Sequence, residues 1–483
     1  MRWVMPWLLL PGCAVGPNFL APHREVPPAW QGLATSTPSQ PSVPTAGAVQ
    51  LVEWWKSFQD PTLTSLVERA IHANLDMRQA QARIRQARAA RGVAGAGLWP
   101  TVDVSATYRR SFSGRSSGIS GASVSGGSIF IPSGDGQGAR DLFQTGLDAA
   151  WELDIFGGVR RQIESADADL QAAVDDGRDL WVSLAAEVGT NYIDLRGLQQ
   201  QIVTARDNLE AQRHTAEISR QRHEAGFASA LDVANAKAQE ATTQSQIPVV
   251  ESAAQAAIYN LSLLLGREPA ALARELSLQT PIPVTPPEVP VGLPSDLLRR
   301  RPDIRRAERQ LHAATARIGV ATADLFPRFS LSGSFGLSGN TAGSLTDWAN
   351  RFWGFGPTVS WPVFDAGRIR ANIEVQKALQ EETLIAYQQT VLTALKDVET
   401  ALVAYAKEQE RRQSLSEAVA YNRKAVDLAR TLYVAGRRDF LSVLDAQRSL
   451  YVSEDALVRS TQGVASGLIA LYKALGGGWE MGF

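Results

Sequence analysis

Residues with types and spacings that could carry chemistry are few in this chain. It has 483 residues, one cysteine (Cys13) and five scattered histidines. The histidines show no HExxH or comparable ligand spacing, and a single cysteine can form neither an intramolecular disulfide nor a cysteine-based zinc site. The sequence also arranges no activated nucleophile, carboxylate pair or metal cluster on a pocket. It therefore predicts neither an enzyme nor a bound metal or cofactor.

Cys13 is placed for covalent attachment of a lipid. It follows MRWVMPWLLLPG, in which one arginine precedes a short apolar stretch, as in an export signal. The ending Leu-x-Gly-Cys resembles the bacterial lipobox, whose cysteine is acylated and becomes the mature N-terminus. We therefore expect residues 1–12 to be a signal peptide and residues 13–50, rich in Pro, Ser and Thr, to be a lipidated tether. The alternative is a buried structural cysteine.

Composition limits the classes of partner and of membrane attachment. The chain has 48 Lys+Arg and 49 Asp+Glu, a formal net charge of −1. Without a basic excess it lacks the electrostatic footprint of a nucleic-acid-binding domain, so nucleic acid is not an expected partner. After Leu10 no run of 18 apolar residues occurs, which excludes a helical membrane span. A membrane β-barrel is not excluded, because its strands give a weaker signal in the sequence than a transmembrane helix does.

The elements that must position any site form a tandem repeat. At an offset of 227, Asp76–Pro100 aligns with Asp303–Pro327, and eleven of the 25 positions are identical. At an offset of 210 a second block aligns: Trp151 with Trp361, Gly157 with Gly367, Gly226 with Gly436, and Gly266 with Gly476. We expect a first repeat over 51–280, a proline-rich linker over 281–293, a second repeat over 294–476 and a C-terminal tail over 477–483.

Each repeat is predicted to contain two strands. Residues of alternating polarity occupy about 101–110, 142–154, 328–338 and 352–364. In the first segment Val102, Val104 and Tyr108 face one way, and the intervening polar residues face the other. Segments near ten residues long with aromatic ends suit transmembrane β-strands that have one face in lipid and the other in a wet lumen. A half-solvated sheet in a soluble sandwich has the same alternation.

Two long helices favour the membrane alternative. No proline occurs between 158 and 225, and apolar residues recur there at a spacing near 3.5, as in the counterpart over 368–435. At 1.5 Å per residue each helix would be roughly 100 Å long. This spacing implies coiled-coil packing. Gly226 and Gly436 suit the left-handed position that ends a helix, and Ser229 with Asp232 has capping-box spacing. Helical hairpins are therefore predicted to turn near 226 and 436.

Four strands are too few to close a barrel. Single-chain bacterial barrels start at eight strands, and an open edge in lipid leaves backbone groups unpaired. The chain must therefore share a barrel with copies of itself, so that two copies give eight strands and three give twelve. An eight-stranded interior is nearly filled by side chains, whereas a wider barrel leaves a channel.

Several segments resemble one known family. They are CAVGPNFLAPHREVPPAW after the signal, GLPSDLLRRRPDIRRAERQL over 292–311, LDVANAKAQ and FLSVLDAQRSLY after the two hairpins, and LYKALGGGW near the end. Together they closely resemble the TolC-like outer-membrane factor family in its lipoprotein branch (OprM-like, NodT type), over essentially the whole mature chain. The resemblance implies an α+β membrane protein, a homotrimer whose 12-stranded β-barrel in the bacterial outer membrane continues into a periplasmic α-helical barrel.

The resemblance also implies a function. The trimer would be the passive, gated exit duct of a tripartite efflux pump for small molecules such as drugs or toxic compounds. Its partners would be a periplasmic membrane-fusion adaptor, an inner-membrane transporter of the RND type and the lipid of the outer membrane. Two alternatives stay open, namely a duct for type I polypeptide secretion and a structural coiled-coil surface protein. The lipobox and the 292–311 motif favour small-molecule efflux, and a coiled-coil protein would not explain the four amphipathic strands.

The family's motifs place a periplasmic gate near the second hairpin. By motif position, Leu441 and Asp445 match residues that form constricting rings, and Tyr433 matches an aromatic residue of a latch. Three Asp445 carboxylates would attract cations, and three Leu441 side chains would make a dry constriction. From spacing alone, Asp445 is a solvated helix residue and Leu441 a coiled-coil core position. The resemblance assigns the hairpin tips to adaptor docking, at Gly226, Ser229, Asp232 and Gly436.

Overall fold

The computed structural model describes residues 14–23, 25–35, 41–45, 51–113 and 138–480. Cys13 and the predicted signal peptide lie outside these residues. In chain order the elements are β1 (Val43–Thr45), α1 (Pro61–Ala73), α2 (Leu75–Ala96), β2 (Thr101–Ser113), β3 (Gly138–Leu153), α3 (Gly158–Glu224), α4 (Ala230–Leu264), α5 (Ala273–Leu276), β4 (Glu288–Pro290), α6 (Pro294–Arg300), α7 (Pro302–Ala323), β5 (Arg328–Gly339), β6 (Arg351–Ser360), α8 (Arg368–Val434) and α9 (Phe440–Ala474).

The repeat in the sequence recurs in the lengths of the helices. α2 and α7 have 22 residues each, α3 and α8 have 67 each, and α4 and α9 have 35 each. A pair of strands lies between α2 and α3, as another pair lies between α7 and α8. Each half therefore runs helix, strand, strand, long helix, turn, helix.

Four of the strands form one antiparallel sheet in the order β2-β3-β5-β6. One row across all four strands is apolar: Val104, Leu147, Phe335 and Trp353. The next row, on the other face, is polar or small: Asp103, Asp148, Ser334 and Gly354. The apolar face is uncovered, since Val104 is 78% and Trp353 70% exposed. An exposed apolar face of this extent marks a surface that contacts lipid or protein.

The strand ends differ from those expected. The first hairpin is longer, because β2 continues to Ser113 and β3 begins at Gly138. β6 ends at Ser360 and does not reach 364, and Pro362 has no backbone N–H to donate to a ladder.

The chain divides into two compact units that both draw on the two repeats. Among the described residues, the first comprises 14–19, 89–113, 138–167 and 312–381, with the four-stranded sheet. The second comprises the described residues of 20–88 together with 168–311 and 382–480. These units cut across the expected repeat boundaries, because each unit contains segments of both halves. In the part of the chain that the structure describes, no helix is long and apolar enough to cross a membrane.

The second unit has an aromatic-rich core. Trp55 is fully buried, and Trp54 stacks on Tyr472 with ring centroids 5.4 Å apart. Asp60 caps α1 by accepting from the backbone N–H groups of Thr62 and Leu63, and it also accepts a hydrogen bond from the Tyr192 hydroxyl at 2.7 Å. Burial, and then this hydrogen bond to Asp60, raises the pKa of Tyr192 to about 12.

The described parts of the expected N-terminal tether are packed against the protein. In the second unit, Trp30 is buried and donates from Nε1 to the carbonyl of Gly292 at 3.0 Å, and β1 pairs in parallel with β4. In the first unit, Arg161 donates to the carbonyls of Val15 and Gly16 and, at 2.7 Å, to Oδ1 of Asn18. These parts are therefore elements of the fold and not a free tether.

Candidate functional site

The two long hairpins turn with the same backbone geometry. Gly226 has φ +80° and Gly436 has φ +70°, the left-handed region that glycine adopts without strain. The N–H of the residue after each glycine donates to a carbonyl five residues back, at 2.7 Å in the first hairpin and 2.9 Å in the second. This is the hydrogen bond of a helix-ending Schellman motif. The turns lie at the positions that the sequence indicates.

The returning helices begin with side-chain caps. Ser229 and Asp232 form a reciprocal capping box, because each backbone N–H donates to the side chain of the other at 3.1 Å. At the equivalent place in the second hairpin, Asp439 accepts from the backbone N–H and from the hydroxyl of Ser442. These hydrogen bonds lower the pKa of the Asp439 carboxyl. Both tips are therefore well-formed turns.

The tips differ in their exposed chemistry. The first tip exposes Phe227 (76%) and Leu231. The second exposes Arg437 and Arg438 in the turn, and Leu441 in the first turn of α9. The tips therefore differ in the residue after the turn glycine, which is Phe227 in the first and Arg437 in the second, although their backbones match.

Tyr433 lies inside the second hairpin and is held from the first. It is buried, packs edge-on against Phe440, and its hydroxyl lies 3.4 Å from Ser219 Oγ. The Arg222 guanidinium lies over the Tyr433 ring at 4.9 Å and donates from Nη1 to the Val434 carbonyl at 2.7 Å. We call Arg222, Tyr433 and the Val434 carbonyl the tip strap. It joins the C-terminal ends of α3 and α8.

Tyr433 is singled out by the family's motif, and its role in a latch stays a prediction, whereas no motif points to Arg222. In the repeat alignment Arg222 falls opposite Leu432, so the alignment gives no reason to pair it with Tyr433. The sequence marks Arg222 only as a basic residue in the last turn of α3. A basic residue at that position stabilises any helix through the helix dipole, so it does not indicate a specific contact.

Leu441 and Asp445 lie on a different face from the tip strap. Both are exposed, and their spacing of four places them on one side of α9. Phe440, Val443 and Leu444 are the residues of this helix that pack into the small core around Tyr433. Within one copy of the chain, Leu441 is therefore not a core position. The structure puts Tyr433 inside the hairpin and the Leu441–Asp445 pair on its surface.

Aromatic side chains lie towards both ends of the sheet's apolar face. At the helical end, Trp151 and Trp361 make equivalent hydrogen bonds, each from Nε1 to a backbone carbonyl at 3.0 Å. Towards the other end, Tyr108 packs on Phe143 with ring centroids 4.7 Å apart. An apolar band between aromatic side chains is typical of a sheet in a bilayer.

The opposite face of the sheet is polar, and Ser105 donates to Asp148 there at 2.8 Å. Over the described ranges no group of three His, Cys, Asp or Glu side chains could hold a metal ion. A sheet with one exposed apolar face and one polar face, in a chain that also forms two capped helical hairpins, suits a membrane channel protein.

Comparison with known proteins places the chain within one class of channels. The sequence model described as "Outer membrane efflux protein" matches residues 66–267 and 293–477, and the chain belongs to this family. It is an outer-membrane channel protein of efflux pumps with an α+β fold.

Individual proteins resemble it over nearly their full length. It is 34% identical to the pyoverdine export outer membrane protein OpmQ of Pseudomonas aeruginosa, over 98% of this chain and 95% of that protein. It is 33% identical to nodulation protein T of Rhizobium leguminosarum bv. trifolii, over 99% and 98% respectively. Among solved structures, the outer-membrane channel OprN superposes with a TM-score of 0.87 at 38% identity, covering 97% of this chain and all of that one.

Proposed function

We propose that three copies of this chain form one passive, gated exit duct of a tripartite efflux pump. The observation that carries the proposal is the four-stranded sheet, which has an exposed apolar face. Among the described residues, its edge strands β2 and β6 each pair along one side only, with β3 and β5 respectively. Lipid demands that every strand edge be paired, so the sheet must be completed by further copies. Three copies give twelve strands, which enclose a lumen lined by the polar face.

The proposed cargo is small molecules. Relatives are named for the export of pyoverdine, for toluene efflux and for antibiotic efflux. In the proposed duct α3 and α8 continue the passage into the periplasm. The energy for transport comes from an inner-membrane transporter of the RND type, and this chain performs no catalysis.

The gate we propose lies near the second hairpin tip. Leu441 and Asp445 of three copies line a constriction that is partly apolar and partly acidic. In each copy the tip strap holds the second hairpin against the first. Release of the strap would let the second hairpin move outward and widen the passage.

The tips are also the proposed docking surface of a periplasmic adaptor. Gly226, Ser229 and Asp232 shape the first tip, and Gly436 shapes the second. The exposed Phe227 and Arg437 beside them offer apolar and charged contacts, respectively.

Cys13 is the proposed lipid anchor. Ala14 lies against Gly157, just after the end of β3, and the backbone N–H of Val15 donates to the Phe156 carbonyl at 3.0 Å. An acyl group on the residue before Ala14 would therefore enter the bilayer close to the edge of the sheet's apolar band.

Planar-bilayer recording of the purified protein tests the duct, with its oligomeric mass measured in parallel. We expect a trimer with small openings that prefer cations. A monomer without conductance would refute the shared barrel.

A further inference from the structure

The ends of four helices meet in pairs within the second unit. In the first repeat, Asn74 caps α2 and donates from Nδ2 to the carbonyl of Leu264, the last residue of α4, at 2.9 Å. In the second repeat, Arg301 donates from Nη1 to the carbonyl of Ala474, the last residue of α9, at 2.8 Å. Asn74 and Arg301 are equivalent at the offset of 227, and the two carbonyls are equivalent at the offset of 210. Each repeat therefore joins the end of a returning helix to the start of a helix that leads to a strand.

The second of these junctions lies between the two long helices. α9 runs between them, because Glu454 accepts hydrogen bonds from Asn208 of α3 and from Arg423 of α8. The start of α7 and the residue before it occupy the same gap, since they form ion pairs with α3 and with α8. The gap is thus filled by two helix ends and not by one continuous helix.

A cavity of about 410 Å³ opens at this junction, and we call it the niche. It is lined by α3, α8, α9 and residues 301–303. Sites for small molecules typically have about 300–1,000 Å³. The apolar residues of its lining are Val182, Pro302, Ala401, Ala404, Ala470 and Ala474. The small side chains on α8 and α9 make room for an apolar group of a ligand.

The niche lies on the side of these helices away from the aromatic core. On α9, Leu468 and Tyr472 pack into that core. Ala470 lies two residues from each, and therefore on the opposite side of the helix, where it lines the niche. Thr400 of α8 has the same relation to two core residues of its own helix.

This placement decides which way the niche faces in the proposed duct. The short elements α1, α5 and β4 contribute to the aromatic core and so lie on its side of the long helices. They would obstruct a passage that ran on that side. In the duct the niche therefore opens towards the passage.

Most of the charges around the niche are compensated. Its charged lining residues are Asp179, Asp303, Asp397, Arg301, Lys396 and Lys473. Arg301 donates two hydrogen bonds to Asp303, at 3.0 and 2.7 Å. Lys396 lies 3.3 Å from Asp397. Lys473 is in the last turn of α9, where the helix dipole favours a positive charge.

The carboxylate of Asp179 is the least compensated of these charges. Arg306 donates to it at 3.2 Å but lies closer to Asp176, at 2.6 Å. Burial raises the pKa of the Asp179 carboxyl and the nearby Asp303 carboxylate raises it further, against the opposing effect of Arg306 and Arg301. A positive charge placed beside Asp179 in the niche would relieve this excess of negative charge.

We propose that the niche binds organic cations with an apolar body, with the cationic group beside Asp179 and the body against the alanines of α8 and α9. The proposal rests on the duct proposed above and names a class of cargo that contacts its wall. Ala404 and Ala470 are exposed within the niche, so a bound molecule keeps a way out. A site along a passage must bind weakly enough to release its cargo.

Equilibrium dialysis of the purified, detergent-solubilised protein tests the charge preference, with protein-free detergent as the blank. The probes are benzyltrimethylammonium and phenylmethanesulfonate, which share an apolar body and differ in charge. We expect the ammonium probe to bind more tightly. Asp179→Asn keeps an oxygen acceptor for Arg306 but removes the negative charge, and should weaken binding of the ammonium probe about three- to tenfold. The matched control Asp427→Asn, at an exposed position of α8 outside the niche, should bind both probes as the unaltered protein does.

A second pair of variants tests the volume of the niche without changing its charge. Ala404→Trp places a large ring in the niche and should reduce binding of the ammonium probe to the blank. Ala425→Trp makes the same change at an exposed position about 30 Å further along α8 and should bind the probe normally.

The outcomes separate the niche from the duct. Equal affinity for the two probes, an unchanged affinity in Asp179→Asn or undiminished binding by Ala404→Trp, in a trimer that conducts, would overturn the niche and leave the duct standing. A monomer without conductance would refute the duct itself.

Discussion

Substitution of Arg222 by glutamine should loosen the second hairpin tip. The change removes the guanidinium that donates to the Val434 carbonyl at 2.7 Å and lies 4.9 Å over the Tyr433 ring. A hydrogen bond from a charged donor contributes about 1.5–3 kcal/mol, and an exposed cation–π contact contributes about 0.5–1 kcal/mol. Arg222 is only partly buried, so we take about 1–3 kcal/mol for the two contacts together. This is about a 5- to 150-fold change in the equilibrium between a tip in which the strap contacts are formed and one in which they are broken.

Two measurements report this equilibrium. The open probability of single channels in planar bilayers should rise in Arg222→Gln, and amide hydrogen exchange over 431–437 should become faster. Arg222→Lys keeps the positive charge but loses the planar guanidinium. Its open probability and its amide exchange rate should therefore lie between those of the unaltered protein and Arg222→Gln. If Arg222→Gln opened no more often than the unaltered protein and exchanged its amides no faster, the tip strap would not restrain the hairpin.

Three further predictions concern the gate, the N-terminal segment and a buried tyrosine. Asp445→Ala, alone or with Leu441→Ala, should raise single-channel conductance by relaxing the constriction, and unchanged conductance in both would remove these residues from the gate. Gly16→Ala should undock residues 14–19, because Gly16 has φ +91° and an added Cβ would collide with the Cα of Gly319; limited proteolysis should then cut this segment faster, and an unaltered rate would contradict the packing. The raised pKa of Tyr192 favours the protonated hydroxyl in the folded state, so its contribution is full below about pH 10 and is lost as the pH rises towards about 12. The difference in Tm from Tyr192→Phe should shrink across that interval, and a constant difference would contradict the assignment.

Patterns that repeat along the chain predicted much of the fold. Alternation placed Val104 and Trp353 on the apolar face, and the turn glycines Gly226 and Gly436 located both hairpins. These signals are local, because a strand's faces and a helix's end are set by neighbouring residues.

Contacts between distant segments could not be predicted in this way. The order of the strands, the docking of Gly16 and the reach of Arg222 to Tyr433 depend on which surfaces meet after folding. Periodicity shows that a face is apolar but does not show what covers it. The gate roles proposed for Leu441 and Asp445 come only from the resemblance to a family, since spacing alone gives ordinary positions on a helix.

Because the two hairpin tips differ in chemistry, a trimer presents a ring of six tips with threefold and not sixfold symmetry. Three tips offer Phe227 and three offer Arg437. Six identical subunits of a docking ring would therefore meet two kinds of site in alternation. The contacts at the three Phe227 tips would depend on the burial of apolar surface. The contacts at the three Arg437 tips would weaken as salt screens the arginines. A partner ring would thus be held by two interactions that differ in their sensitivity to ionic strength, so that added salt would weaken only the contacts at the arginines.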